Sequence, residues 1–382
     1  AAFKALGVEA QVLPESDEES LELGKLFSLG KECLPFVLTL GDFLKVLRRK
    51  RFDPRRSAFF MPSTDGPCRF GMYHQRQKQI FDQLGYEGVS FISPNQGNTS
   101  GYFNELSKLS PRFSRLGWQA IVAFELLEKF YRSVRPYALR REETDIVYQN
   151  GLGKLARGII EGKLEKALTE ALDKLGSLPT EDEREKPIIG IVGEIYLRSH
   201  RFSNHYLIRT IEELGGEVQV ATAQEWILYV NHWLQKDSWK SRDFRGFLKA
   251  YLKEKVQRRD EYRLLQLGQE KLRNGNGEEP PIETLLQYCS RYLHPSCGTE
   301  AVLSIGKAVN FIHEGASGII SVMPFTCMPG TVVSTLLKSI KEDHQQIPCL
   351  SLAYDGLEDT SGRTRLEAFM HQAQQYRNRQ IK

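Results

Sequence analysis

Four short apolar runs in the second half of the chain, at residues 187–195, 217–222, 318–324 and 347–354, constrain its fold more than any other feature. Each is strand-length, bounded by Gly, Pro or Asp, and separated from the next by a stretch with helical periodicity. Strands that alternate with helices pair in parallel and are covered on both faces. The latter half therefore reads as βαβ units around a parallel sheet. Asn204 caps a helix that ends at Gly215-Gly216, and residues 225–273 read as helical. Thr299 caps a helix to Gly315, another runs from Thr331 to about Lys341, and a last one begins at Arg363.

The first half carries a weaker version of the same pattern. An acidic stretch at residues 15–22 precedes Gly30 and a Cys33 turn. Residues 34–51 read as a helix, with Pro35 at an early position where its missing N–H costs nothing. Residues 57–61 and 89–92 are short strands, the second ending at Ser93-Pro94-Asn95-Gln96-Gly97, with a helix to about Leu84 between them. Residues 111–175 are mostly helical, and Gly176 is a stop signal. The charged, Pro-flanked segment LPTEDEREKP at 178–187 is the best linker, and residues 274–281 form a polar loop. Two α/β domains follow, at 1–180 with a helical extension and at 186–382, and 382 residues suffice for a core in each. Ligands in such sheets sit at the carboxyl ends of the strands.

Composition narrows the class. A hydrophobic fraction of 41% beside 26% charged residues reads as soluble and globular, and no apolar run approaches a membrane span. The formal net charge of +4 does not argue for nucleic acid. The only dense basic cluster is Arg48-Arg49-Lys50-Arg51 with Arg55 and Arg56. Only Phe52 interleaves it, so it reads as a solvated helix end, or as a site for an anionic ligand such as a nucleotide or coenzyme A phosphate.

Six cysteines in a chain of this length, with no signal peptide, suit a reducing cytoplasm and a metal or redox role better than a disulfide framework. They are not equivalent. Cys349, in an apolar run, reads as a buried small hydrophobe, and Cys289 as mid-helix filler. Cys297 has turn context. Cys33, Cys68 and Cys327 each lie in a Gly/Pro-punctuated turn that opens a helix, in Cys33-Leu34-Pro35, Gly66-Pro67-Cys68-Arg69-Phe70-Gly71 and Cys327-Met328-Pro329. Free N–H groups and the positive dipole end of a helix favour thiolate over thiol. Three such thiolates read as a metal site with one position open. Zinc ligands usually come as closely spaced pairs, and this chain has no C-x₂-C. A [4Fe–4S] cluster on three thiolates is the sharper reading, with zinc as its alternative.

With these landmarks the chain resembles the iron–sulfur subunits of 2-hydroxyacyl-CoA dehydratases, and more closely the related C-terminal domain of large CoA-substrate-specific enzyme activase proteins. The resemblance runs through Gly30 to Pro35, Met61-Pro62 with Gly66 to Gly71, Gly193 to Arg198 followed by Asn204, Pro324 to Gly330, and Asp355-Gly356. It implies two Rossmann/flavodoxin-like parallel-sheet domains with a helical segment between them and a [4Fe–4S] cluster at their interface, held by Cys33, Cys68 and Cys327. It implies a cytoplasmic, anaerobic setting and an ATP-hydrolysing activase that delivers an electron at very low potential. In that family the electron reduces a CoA thioester carbonyl to a ketyl radical and lets a 2-hydroxyl leave. The chain has no glycine-rich phosphate loop of its own, so the ATPase is a separate protein or a preceding domain of a longer chain, from which Ala1 would mark an excision point. A homodimer is the other arrangement left open.

Glu194 and Arg198 follow an apolar strand and are the candidate catalytic pair. Glu194 orients a bound ligand or works as an acid/base, unless the two simply pair with each other. Arg69 tunes the cluster or binds an acid group, or forms a surface ion pair. His74, His200 and His205 read as structural, and Trp226, Trp233 and Trp239 as packing residues. Two further readings stand beside the single cluster. One is a double-cubane [8Fe–9S] reductase using all six cysteines, and the other a non-catalytic zinc or electron-relay module that docks an activase.

Overall fold

In the computed structural model the described residues are 1–50, 52–64, 66–95, 112–181, 186–268, 279–357 and 361–380. Arg51, Gln96-Gly97, Pro111, the centre of the 178–187 segment and most of the 274–281 loop lie outside them. The chain is a mixed α/β protein with two parallel sheets.

The N-terminal part contains helices α1 (Glu18–Leu26) and α2 (Leu34–Leu47), strand β1 (Ala58–Phe60), helix α3 (Tyr73–Gln83) and strand β2 (Ser90–Ile92). Strands β1 and β2 pair in parallel, Phe59 opposite Phe91. Helix α2 stops at Leu47, four residues before the expected end. Its apolar run ends there, and Arg48, Arg49 and Lys50 are exposed cations with nothing to bury. Three helices follow, α4 (Phe113–Val134), α5 (Arg141–Glu161) and α6 (Leu164–Gly176).

The C-terminal part runs β3 (Ile188–Gly193), α7 (Ile195–Ser199), α8 (Leu207–Glu213), β4 (Glu217–Val220), α9 (Gln224–Lys240), α10 (Phe244–Gln266), α11 (Ile282–Ser290), α12 (Glu300–His313), β5 (Gly318–Pro324), α13 (Met328–Asp343), β6 (Cys349–Tyr354) and α14 (Gly362–Gln380). The four strands form one parallel sheet in the order β4-β3-β5-β6. The chain winds one way from β3 to β4 and the other way to β5 and β6, so the direction reverses between β3 and β5. The helical stretch expected at 225–273 is two helices. Arg242 takes a left-handed φ of 59° between them, and the Asp243 side chain accepts the Gly246 N–H to open the second.

Both faces of this sheet are covered, partly by the first half of the chain. On one face Ile189, Ile191, Ile320 and Val322 meet Leu21, Leu34, Val37 and Leu38 of α1 and α2, with Phe369 and Met370 of α14. On the other, Val192 and Ile319 belong to a larger core with α4, α6, α9, α11 and α12. Gly190 leaves room for Phe311 of α12, whose ring carbon would lie 2.6 Å from an added Cβ. The apolar packing thus crosses the 180/186 line on both faces. A third core, with Phe36, Leu40, Phe43, Phe59, Ile80 and Phe81, fills the N-terminal part. Among the described residues no helix is long and apolar enough to cross a membrane.

Helix α2 therefore has two apolar faces, Leu34, Val37 and Leu38 on the four-stranded sheet and Phe36, Leu40, Phe43 and Leu44 on the two-stranded one. Helix α1 crosses it at two glycines. An added Cβ at Gly24 would fall 1.9 Å from the Val37 carbonyl oxygen, and one at Gly41 1.7 Å from that of Ser20. Gly41→Ala is expected to destabilise the protein by about 1–3 kcal/mol in chemical denaturation. Gly153→Ala, in α5 with open space around it, should instead stabilise by about 0.5–1 kcal/mol. Equal effects at the two positions would contradict this account of the helix crossing.

Candidate functional site

The carboxyl ends of β3 and β5 flank the point where the winding reverses, and the sequence-predicted residues converge there. Strand β3 ends at Gly193, whose φ of 107° and 2.1 Å clearance to the Val322 carbonyl oxygen exclude a side chain. Glu194 follows as the cap of α7, its carboxylate accepting the N–H groups of Tyr196 (3.1 Å) and Leu197 (2.8 Å). Strand β5 ends at Pro324, and Cys327 caps α13 with Pro329 in its first turn. That helix begins at Met328, three residues earlier than expected, because Pro329 fits its first turn.

Cys33 caps α2, and Cys68 caps the short 3₁₀ turn Arg69–Met72 that leads into α3. All three candidate ligands are thus helix-capping residues from separate parts of the chain. Each lies within electrostatic reach of Glu194, and Cys68 also within reach of both Cys33 and Cys327. Arg69 clips two of the loops together, its Nη1 donating to Thr326 Oγ1 at 3.1 Å. Thr326 holds a φ of 65°, a strained value for a β-branched residue. Lys25 donates to the Gly356 carbonyl at 3.0 Å, and Leu21 and Leu34 close over Gly356, tying α1 and α2 to the end of β6.

The electrostatics differ from the expectation in one respect. Burial raises all three thiols, Cys327 to about 12, and Glu194 raises each of them further. The N–H groups of Phe36, Phe70 and Gly330 act in the opposite direction, but none closes a full capping hydrogen bond on sulfur. Helix N-termini alone therefore do not make thiolates of these three groups. Cys68 is exposed to solvent, whereas Cys33 and Cys327 are half-buried. The buried Tyr73 hydroxyl contacts the Cys33 sulfur, and its own ionisation is pushed far up by burial.

Arg198 is buried, and its ion-pair partner is Glu300 at 3.3 Å rather than Glu194. It also donates to the carbonyls of Gly193 and Thr222, both at 2.8 Å, so it holds the ends of β3 and β4 in place. Glu300 was not foreseen from the sequence. It opens α12 behind the Thr299 cap, and an acid in the first turn of a helix aimed at the strand ends was the available signal. Burial raises Glu300 to about 8 against the pull of Arg198, and it also raises Glu194. Two carboxyls biased toward the protonated form thus stand beside three thiols.

The other cysteines lie elsewhere. Cys289 is fully buried, its sulfur donating to the Leu293 carbonyl at 3.3 Å, with exposed Cys297 near it. Cys349 starts β6 and packs against the larger core. His200 stacks on Tyr196 and is lowered to about 4 by burial, and His205 stacks on Tyr354. Trp226 and Trp233 are partly buried, whereas Trp239 is 59% exposed and packs on Phe244 and Phe247 of the next helix. Arg55 and Arg56 are exposed, as is the end of α2.

Among the described residues no three His, Cys, Asp or Glu side chains form a ready cage for a single metal ion.

No family model matches the chain, and no curated protein matches it either.

Glu300 provides a test of this electrostatic picture. A carboxyl raised from 4.5 to about 8 by folding contributes stability at low pH that is lost as pH rises through that range. The metal-free protein should therefore lose stability between about pH 5 and 8.5 in denaturant titrations, and Glu300→Gln should flatten the profile. An unchanged slope in the variant would contradict the burial of this group.

Proposed function

We propose that the chain is an iron–sulfur redox protein of the 2-hydroxyacyl-CoA dehydratase-like kind, holding one [4Fe–4S] cluster through Cys33, Cys68 and Cys327. The observation that carries this reading is the convergence of three helix-capping cysteines, distant in sequence, on the Glu194–Glu300 carboxyl pair. The fold fits it. The order β4-β3-β5-β6 corresponds to the start of the flavodoxin-like arrangement, whose ligands sit where the winding reverses. On this reading both parts are Rossmann/flavodoxin-like units with the cluster at their interface.

When bound, the cluster would supply one-electron transfer at low potential and, with three protein ligands, an open iron for a substrate oxygen. The chain's own groups do the rest. Glu300, raised to about 8, holds a proton near neutral pH, burial raises Glu194 as well, and either could protonate an oxygen leaving a substrate bound at the site. Arg198 fixes Glu300 against the strand ends, and Arg69 keeps the Cys68 and Cys327 loops at one spacing. The electron would come from an ATP-hydrolysing activase, as a separate protein or a preceding domain, and the substrate would be small, such as a CoA thioester in the cytoplasm.

The distribution of the cysteines disfavours the double-cubane reading. Cys289 and Cys297 form one group, Cys349 stands in a strand, and neither place adjoins the three converging thiols. A structural zinc on the same thiols is the second reading, and the metal content of the loaded protein separates the two.

Anaerobic reconstitution with iron and sulfide tests the assignment. The protein should take up about four irons and about four sulfides per chain and turn brown. Cys33→Ser, Cys68→Ser and Cys327→Ser should each lose most of the iron, and Cys349→Ser should keep it. Iron retained in all three variants, or a colourless protein with one zinc, would overturn the assignment.

A further inference from the structure

A line of buried charge runs inward from this site and is not needed to hold it together. Along one face of α12, Glu300, Ser304 and Lys307 follow one another at helical spacing over about 10 Å. Lys307 lies between Glu225 of α9 (2.7 Å) and Glu279 (2.5 Å), all three almost fully buried. Glu279 also meets Lys129 of α4 at 3.1 Å. Beside them is a cavity of about 70 Å³, room for several waters, lined by Glu125, Lys129, Thr222, Glu279 and Lys307 among others. Glu128 also lines it, and the side chains of Glu128 and Lys129 are 35% and 29% exposed.

The cavity and the thiol site share a wall. Thr222 lines the cavity, and its carbonyl accepts from Arg198, which holds Glu300. In that wall Thr222 Oγ1, Gln224 Oε1, Ser304 Oγ and Arg198 Nε are buried with no protein partner. Such atoms are where ordered water sits. Around the cavity and the thiol site carboxyls outnumber cations, even with the Arg132–Glu128 ion pair counted. Such an excess away from bulk water favours the protonated form of some of the carboxyls.

We propose that this line is a proton-entry path, which takes protons from solvent beside Glu128 and Lys129 and passes them through Glu125, Glu225 and water to Glu300 and Glu194 beside the thiols, while Glu279 stays ionised between Lys129 and Lys307. Each carboxylate on the path accepts a proton on one oxygen and yields one from the other. The line is then unchanged, and one buffer acid in the solvent has lost its proton. Arg198 stays charged and orders the water rather than carrying a proton. Burial raises Glu125 to about 8 and Glu225 to about 7, so both exchange protons readily near neutrality. The use of the path rests on the iron–sulfur reading, since each electron brought in by an external one-electron donor would be matched by one proton. Its existence does not.

Two measurements test it. A crystal structure of the metal-free protein that shows waters should find them linking Thr222, Ser304, Glu225 and Glu300, and a dry, closed wall would overturn the path. In iron-loaded protein reduced by a light flash, a pH-indicator dye should report about one proton taken up per electron. Glu225→Gln, which keeps the shape and the iron content, should slow that uptake roughly a hundredfold. The exposed Glu170→Gln should not change it. Uptake in Glu225→Gln as fast as in the unsubstituted protein would overturn the proposal. Failure to hold iron would sink the iron–sulfur reading alone, because the metal-free structure still decides the path.

Discussion

The arrangement depends on one helix being buried on two sides. Helix α2 sends Leu34, Val37 and Leu38 into the four-stranded sheet and Phe36, Leu40, Phe43 and Leu44 into the N-terminal core. It is thereby fixed against both sheets at once. Its cap, Cys33, is set by that packing over the ends of strands that lie more than 150 residues later in the chain. The glycine crossing with α1 holds the helix close, and the Lys25 and Leu21 contacts to Gly356 hold the pair against the last strand. Without this helix the Cys33 loop would have no fixed relation to Glu194 or Cys327.

Burial then sets the chemistry. The three capping positions would favour thiolates in water, yet the surrounding protein and the neighbouring carboxyls raise all three. The same surroundings raise Glu194 and Glu300. Such surroundings bias all five acidic groups toward their protonated forms. Arg198 offsets part of the charge but is committed to Glu300 and two backbone carbonyls. That commitment makes it a positioning group.

Much of the C-terminal architecture was legible because strand and helix periods alternate cleanly there. The run at 318–324 is β5 residue for residue, and the Thr299 cap stands where expected. The N-terminal part was less legible. Its two strands have only three residues each, and α2 is apolar nearly all round, so no period shows which side faces which sheet. The cysteine turns could be recognised from their Gly/Pro context, but their raised thiols could not, since burial is a property of the assembled site. Glu300 escaped notice because a lone acid after a Thr cap looks like ordinary helix capping. Its importance comes from Arg198, about a hundred residues away in the chain. Whether Glu194 and Arg198 pair with each other was left open for the same reason, and the short α7 turns Glu194 to its own backbone and Arg198 to Glu300 and the strand ends.

The central claim is that Cys33, Cys68 and Cys327 share one metal cluster. Anomalous scattering at the iron edge, from crystals grown and frozen without oxygen, tests it most directly. The account predicts a single compact iron peak bounded by those three sulfurs, with Glu194 and Glu300 at its border. Iron beside Cys289 and Cys297, or none in protein that remains folded and was loaded anaerobically, would contradict it.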